Sequence, residues 1–311
     1  MWQAKLFDDE FNEEFPVGIV NVASVPKLSP FRYPGGKTWF IPSIRQWLSP
    51  HIRQKHNLTP ISPEHFVEPF LGGGSISLTV ASERLVKNTT MVEIDADVAA
   101  VWQTVLNIEG GEWLANRIAS YSLTIENVEA LLNDVPITVR ERAFQTIVRN
   151  RVCRGGILAP GSGLMKLGEA GKGILSRWYP ATLAKRIRHI TTLRDSLTFL
   201  HNDGLATLAT YLHDPHAVFF LDPPYTAGKH GKQAGKRLYT HSELDHEQLF
   251  DCASRIQGDF LMTYDNSEEV RSLARRYGFD MRLVPMKNTH HANMSELVIG
   301  PNLEWLMAPR L

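Results

Sequence analysis

Cysteine is nearly absent from this chain: Cys153 and Cys252 are the two in 311 residues. A framework of several disulfides is thereby excluded, and a reducing cytoplasm is the expected location. Long apolar runs are missing too. No stretch approaches 18 consecutive apolar residues, so no membrane-spanning helix is expected. The opening segment, MWQAKLFDDEFNEEF, is acidic and lacks the apolar run of a signal peptide. There is no excess of one charge, with 33 lysines and arginines against 33 acids, so bulk charge names no partner. No internal repeat is found, and no obligatory protein partner is evident. What is present, 43% hydrophobic and 21% charged residues, suits a packed core in one large domain carrying an insertion.

Seven segments read as strands: FVEPF from Phe66, TTMVEID from Thr89, LTFLHND from Leu197, AVFFLDPPY from Ala217, DFLMTYD from Asp259, FDMRLVPM from Phe279 and ELVIG from Glu296. Several are apolar on both faces, as buried strands of a parallel sheet are. Helical patterns between them, such as ISLTVASERL and SELDHEQLFDCASRI, imply a doubly wound α/β sheet. The polar link KNTHHANMS suits an antiparallel hairpin between the last two. The rhythm breaks over 107–195, a helical and basic insertion that separates residues 1–106 from 196–311. EWLANRIASYSLTIENVEALLNDV and TVRERAFQTIVRNRV read as helices there, and RGGILAPGSGLMKLGEAGKG as a glycine-rich stretch without strand period. From Val139 to Asp195 there are 12 lysines and arginines against 3 acids, a net of +9, which points to a polyanion. A solvated helical face is the alternative. A second basic group, Lys229, Lys232, Lys236 and Arg237, follows a strand's carboxyl end, where open α/β sheets bind ligands.

Three motifs carry chemistry. VEPFLGGGS sets Gly72, Gly73 and Gly74 between a strand and a helix, where glycine lets the backbone turn tightly and approach a ligand. VEIDAD ends the next strand with acids of the kind that bond ribose hydroxyls; Asp95 is the first candidate and Asp97 the second. FFLDPPYTAGKHGK ends a strand on Asp222, Pro223, Pro224 and Tyr225. Neither proline can donate to a ladder, so the strand stops there, and a stiff loop holds a carboxylate, a carbonyl and an aromatic ring together. RYPGGKT is no Walker A loop, because Phe31 stands where that loop needs glycine. His290 and His291 are adjacent, with no third ligand spaced to join them, so no metal site is expected.

With FRYPGGK, FVEPFLGGGS, IDAD, LDPPY and FLMTYDNS in this order, the chain resembles the Dam-like, class alpha DNA adenine-N6 methyltransferases. The resemblance implies a Rossmann-like seven-stranded sheet that uses S-adenosylmethionine, with a target-recognition insertion where the basic helices lie. It implies cofactor contacts at Tyr33, Lys37, Glu68, Phe70, Gly72, Asp95, Asp203 and Asp222. Catalysis would rest on Asp222, the Pro223 carbonyl and Tyr225, which would activate and stack an adenine flipped from duplex DNA for direct in-line transfer. Arg149, Arg151, Arg154, Lys166, Lys229 and Lys232 are the expected DNA contacts. Where the family often carries NGL.R.N..G.FN, this chain has CRGGILAPGSGLMKLG, so no target sequence is transferred. Cytosine N4, an RNA adenine or a glutamine side chain is an alternative substrate. A catalytically silent DNA-binding regulator is the alternative from another class.

Overall fold

The structure, a computed structural model, describes residues 25–33, 35–159, 161–225, 240–241, 243–287 and 293–307. The seven expected strands are β1 (His65–Glu68), β2 (Asn88–Glu93), β3 (Leu197–His201), β4 (Ala217–Leu221), β5 (Asp259–Tyr264), β6 (Asp280–Lys287) and β7 (Asn293–Gly300). They form one sheet in the order β3-β2-β1-β4-β5-β7-β6. The first five are parallel. β7 runs antiparallel to both β5 and β6, so the last two strands pair as the hairpin expected from the polar link. That reversal brings the beginning of β7, rather than its end, to the carboxyl ends of the parallel strands.

The helices are α1 (Ile41–Leu48), α2 (Pro50–Lys55), α3 (Ser75–Ser82), α4 (Ala96–Leu106), α5 (Ile108–Ser120) and α6 (Ile125–Asn133). They continue with α7 (Val139–Val152), α8 (Pro180–Thr192), α9 (Gly204–Tyr211), α10 (His246–Ser254) and α11 (Glu268–Arg276). None is long and apolar enough to cross a membrane among the described residues. Successive strand residues point to opposite faces, and each face has its own core. Phe66 and Phe220 pack with Ile44, Trp47 and Trp305 on one side. Val67 and Phe219 pack with Leu208, Phe250 and Val270 on the other. Side chains buried this completely contribute roughly 1.5–3 kcal/mol each.

The insertion does not stand apart. Leu114, Ile118, Phe144, Ile147, Leu183 and Ile187 share one apolar cluster with Val98 and Trp102 of α4. The first long helical stretch read from sequence divides into α5 and α6, because Thr124 accepts the Asn127 amide and starts a new helix. Thr138 and Glu141 form a capping box at the start of α7. The glycine-rich segment after α7 folds back on itself, pairing Cys153 with Leu164 across an isolated antiparallel bridge. Gly156 has φ +75°, and a Cβ there would lie 2.3 Å from the Arg32 carbonyl oxygen, so this glycine serves internal packing.

A charged pair lies beneath the edge of the sheet's core, away from the carboxyl ends of the strands. Arg53 is fully buried and ion-pairs with Asp259, the first residue of β5, at 3.2 Å. It also donates to the carbonyls of Pro60 and Trp47, while Asp259 accepts from Trp47 Nε1 at 2.9 Å. Burial raises the Asp259 carboxyl, with the Arg53 charge pulling the other way.

Candidate active site

The strand order reverses between β1 and β4, and in open α/β sheets ligands bind outside the carboxyl ends at such a point. A cleft opens there. Its walls come from the turns after β1, β2, β3 and β4, together with residues 33, 35–37, 240–241 and 243–244. The eight residues expected to contact a cofactor, Tyr33, Lys37, Glu68, Phe70, Gly72, Asp95, Asp203 and Asp222, all line it.

The glycine loop supports this wall from within. Gly72 has φ +48°, and a Cβ on it would sit 2.5 Å from the Tyr33 ring, so glycine is required for Tyr33 to lie against the loop. Glu93 accepts the Gly72 and Asp95 amides at 2.9 and 2.8 Å and fixes the two turns relative to each other. Asp95 caps α4, its Oδ1 accepting from the amides of Asp97 and Val98. Asp203 caps α9 in the same manner. Both acids stand at helix N-termini, where backbone dipoles favour negative charge. Ile94 is 42% exposed between them on the cleft wall, an open apolar surface in an otherwise polar turn.

Charge in the cleft is one-sided. Among the described residues, Glu68, Glu93, Asp95, Asp203, Asp222 and Glu243 line it against a single lysine, Lys37. Burial pushes Glu68 up to about 8, with the Ser77 donors pulling down and Asp222 adding to the rise. Burial likewise pushes Glu93 up to about 7. Carboxyl groups held this high favour a ligand that brings positive charge.

At the end nearest β4 and β5 a compact polar cluster surrounds Asp222. Its Oδ1 accepts from Lys37 Nζ at 2.9 Å, Thr263 Oγ1 at 2.7 Å and the Tyr225 hydroxyl at 3.0 Å. Its Oδ2 takes none of these donors. Lys37 is 4% exposed and reaches Glu296 of β7 at 3.4 Å, and the Tyr225 hydroxyl, with a single proton to give, lies 3.0 Å from Glu296 Oε2 as well as from Asp222 Oδ1. Burial raises Glu296, opposed by the Lys37 charge. Glu296 and Thr263 were not singled out from sequence. The usable signal was an acid opening the otherwise apolar segment ELVIG; its partners, Lys37 and Tyr225, lie on two other parts of the chain.

Tyr225 does not line the cleft. One face of its ring stacks on Tyr264, with centroids 5.8 Å apart and an interplanar angle of 23°. Lys37 Nζ lies 4.9 Å from the same ring centroid. Pro223 is buried, and Pro224 rather than Pro223 contributes to the cleft wall. Asp97, the alternative to Asp95, faces the insertion instead, pairing with Arg142 at 3.2 Å and Arg149 at 3.6 Å.

Among the expected DNA contacts, Arg154 and Lys166 are exposed on the folded-back segment after α7. Arg149 is partly exposed and shared with Asp97. Arg151 corrects the sequence reading of a surface phosphate ligand: it is 5% exposed and donates to the Pro30 carbonyl, tying α7 to the 25–33 segment. It faces inward because α7 carries it on the side that packs against that segment. Lys229, Lys232, Lys236, Arg237, His290 and His291 lie outside the described residues. Among the described residues, no group of three or more histidine, cysteine or acidic side chains is arranged to hold a metal ion.

A family model for the D12 class N6 adenine-specific DNA methyltransferases matches residues 33–283. A comparison with curated proteins finds no match.

Proposed function

Because the chain belongs to the D12 class N6 adenine-specific DNA methyltransferases, we propose that its acid-lined cleft binds S-adenosylmethionine and that Asp222 activates the adenine amino group. The observation that carries this reading is the clamped carboxylate at the junction of cleft and Pro-Pro loop, with three donors converging on Oδ1. The cofactor, a sulfonium cation, supplies an electrophilic methyl group. Asp95 and Glu93 suit the ribose end, Phe70 and Ile94 offer apolar surface to the adenine, and Lys37 with Asp222 forms the opposite end.

An adenine amino nitrogen is a poor nucleophile because its lone pair is delocalised into the ring. Asp222 Oδ2 accepts one N6 hydrogen and the Pro223 carbonyl the other, which favours a tetrahedral nitrogen with its lone pair aimed into the cleft. Acceptors fixed in advance stabilise the positive charge that develops on nitrogen, and a fixed base supplies the orientation. The base must leave the duplex, at a cost of a few kcal/mol. Stacking on Tyr225 returns roughly 1–3 kcal/mol, once the Tyr225 hydroxyl has left Asp222 and Glu296. Arg154 and Lys166 contribute phosphate contacts from the insertion.

Labelled S-adenosylmethionine and duplex DNA test the reading directly. N6-methyladenine is the expected product after nuclease digestion and mass spectrometry. Label on cytosine, or none at all, contradicts it.

Asp95→Ala is expected to weaken cofactor binding roughly tenfold or more, since a hydrogen bond to a charged group is worth about 1.5–3 kcal/mol. It also removes the α4 cap, at about 0.5–2 kcal/mol of stability. Asp97→Ala is expected to leave cofactor affinity unchanged, because Asp97 faces the insertion. Calorimetry on both variants decides; equal losses would exclude Asp95 as the distinguishing ligand.

The raised acids predict a pH dependence. The folded chain holds protons that the unfolded chain releases near pH 4.5, so the contribution of Glu93 and Glu68 to stability falls as pH rises through about 7 and 8. Cofactor binding has the opposite sign. A cation in the cleft favours the ionised acids, so binding releases protons and tightens as pH rises toward about 8. Titrations in buffers of different ionisation enthalpy read the proton release, and an affinity flat across this range would refute it.

A further inference from the structure

Beside the cleft lies a second groove, of about 650 Å³, between the 26–33 segment, the end of α7 and the start of α8. It shares Tyr33, Gly35, Gly36 and Ser75 with the cleft, so the two are adjacent. Lys27, Arg32, Arg151, Arg177 and Arg186 line it, and the sole acid among its lining residues, Glu296, is already paired with Lys37. Arg32, Arg177 and Arg186 come from three separate parts of the chain, so their convergence is a product of the fold.

We propose that this groove is a phosphate site, holding a backbone phosphate of the DNA strand whose adenine enters the cleft. The proposal rests on the methyltransferase reading above. Two observations beyond the charge support it. Arg151 is 5% exposed and its Nε is buried with no hydrogen-bond partner among the described residues, a donor left over at the groove wall. The 13-residue α8 begins at the same wall, and its N-cap Tyr179 makes no side-chain cap bond. Pro180 opens the helix without an amide hydrogen and the Leu183 amide bonds the Tyr179 carbonyl, so the amides of Ala181 and Thr182 are the first-turn donors without an intrahelical acceptor, and the helix dipole favours an anion there. The crowding has an electrical consequence. Burial, reinforced by the charges of Arg186, Arg32 and Arg177, pushes Arg151 down to about 9. A phosphodiester would relieve that repulsion and give the guanidinium groups planar, bidentate partners.

The site fixes where the strand runs. A phosphate held here lies one groove away from Asp222, so the flipped nucleotide is gripped by its backbone while its base is presented to the clamped carboxylate.

The test uses Arg177→Gln and Arg186→Gln, singly and together; Arg151 is left in place because it is buried against Pro30, and because Arg186 also donates to the Ser29 carbonyl at 3.2 Å the unfolding midpoint is read beside its variants. Binding to duplex DNA is measured across a salt series, with S-adenosylmethionine affinity and the unfolding midpoint as controls. The double variant is expected to flatten the slope of log affinity against log salt by about 0.9, the share of one phosphate, and each single variant by up to that amount, with cofactor affinity unchanged. Duplexes carrying a single neutral methylphosphonate supply a second measurement that needs only folded wild-type protein and one variant. At one phosphate near the target adenine, neutralisation should weaken wild type and leave the double variant unaffected. Should every methylphosphonate weaken both proteins equally, or should the slopes remain those of wild type, the groove holds no phosphate. Methyl transfer to adenine by the wild type in that case preserves the methyltransferase reading. A wild type that binds cofactor but neither binds nor methylates duplex DNA overturns both.

Discussion

Asp222→Ala is expected to lower methyl transfer by at least about a hundredfold, the order of loss seen when one fixed group facing developing charge is removed. The fold should persist, because Lys37 keeps Glu296 at 3.4 Å and Tyr225 keeps its bond to the same acid. The sharper variant is Asp222→Asn. Lys37 and Thr263 donate to the Oδ1 position and stay there when Tyr225 turns to stack the base, so they will hold the amide oxygen there. The amide nitrogen, itself a donor, is then forced to the Oδ2 position, where it meets the N–H of the target amino group. Asparagine is therefore expected to be as inactive as alanine, although it is nearly isosteric with aspartate. Single-turnover rates with saturating DNA and cofactor read this, beside calorimetric cofactor affinities. An asparagine variant within tenfold of wild type would mean that Asp222 does not receive the amino group through Oδ2.

Asp259→Ala is expected to cost about 3–5 kcal/mol, the penalty for leaving a buried charge without its partner. Arg53 is fully buried, and its bonds to the Pro60 and Trp47 carbonyls satisfy donors without balancing charge. Set against a typical total of about 5–15 kcal/mol, this loss would populate unfolded chain at moderate denaturant. The pair joins α2 to the start of β5, whose far end carries Thr263 and Tyr264 into the active site. Arg53→Met with Asp259→Leu removes both charges and should recover most of the loss, since apolar replacements of a buried pair are often neutral or stabilising. Denaturant midpoints of the two proteins test the account. A double variant as unstable as Asp259→Ala would show that packing, not charge, is what Asp259 contributes.

How much of this was legible beforehand differs by kind of feature. All seven strands were readable because strand character is local: AVFFL and DFLMTY are apolar on both faces, and the fold buries both faces. The residues that line the cleft were readable for a related reason. They sit at strand ends in Gly, Asp and Pro motifs whose backbone demands are written within a few residues, and the sheet's topology gathers strand ends at one edge. Family resemblance added roles that local pattern does not contain.

What the sequence could not fix was the direction of charged side chains within crowded packing. Arg151 looked like Arg149, Arg154 and Lys166 in one basic run, yet α7 turns Arg151 toward Pro30 and Arg149 toward Asp97, while the segment after α7 leaves Arg154 and Lys166 exposed. Asp95 and Asp97 are two residues apart, and only the packing of α4 against the insertion arginines separates a cleft acid from a surface pair. Glu296 joined the site because β7 is antiparallel, which sets its first residues beside Lys37 and Tyr225. The sequence by itself therefore determined the strands, the motif-bearing loops and the basic character of the insertion, all of which depend on neighbours along the chain. Tertiary structure decided which charges are clamped, which are buried and which face a ligand, because burial and pairing depend on elements that meet only when the sheet and the insertion close on one core.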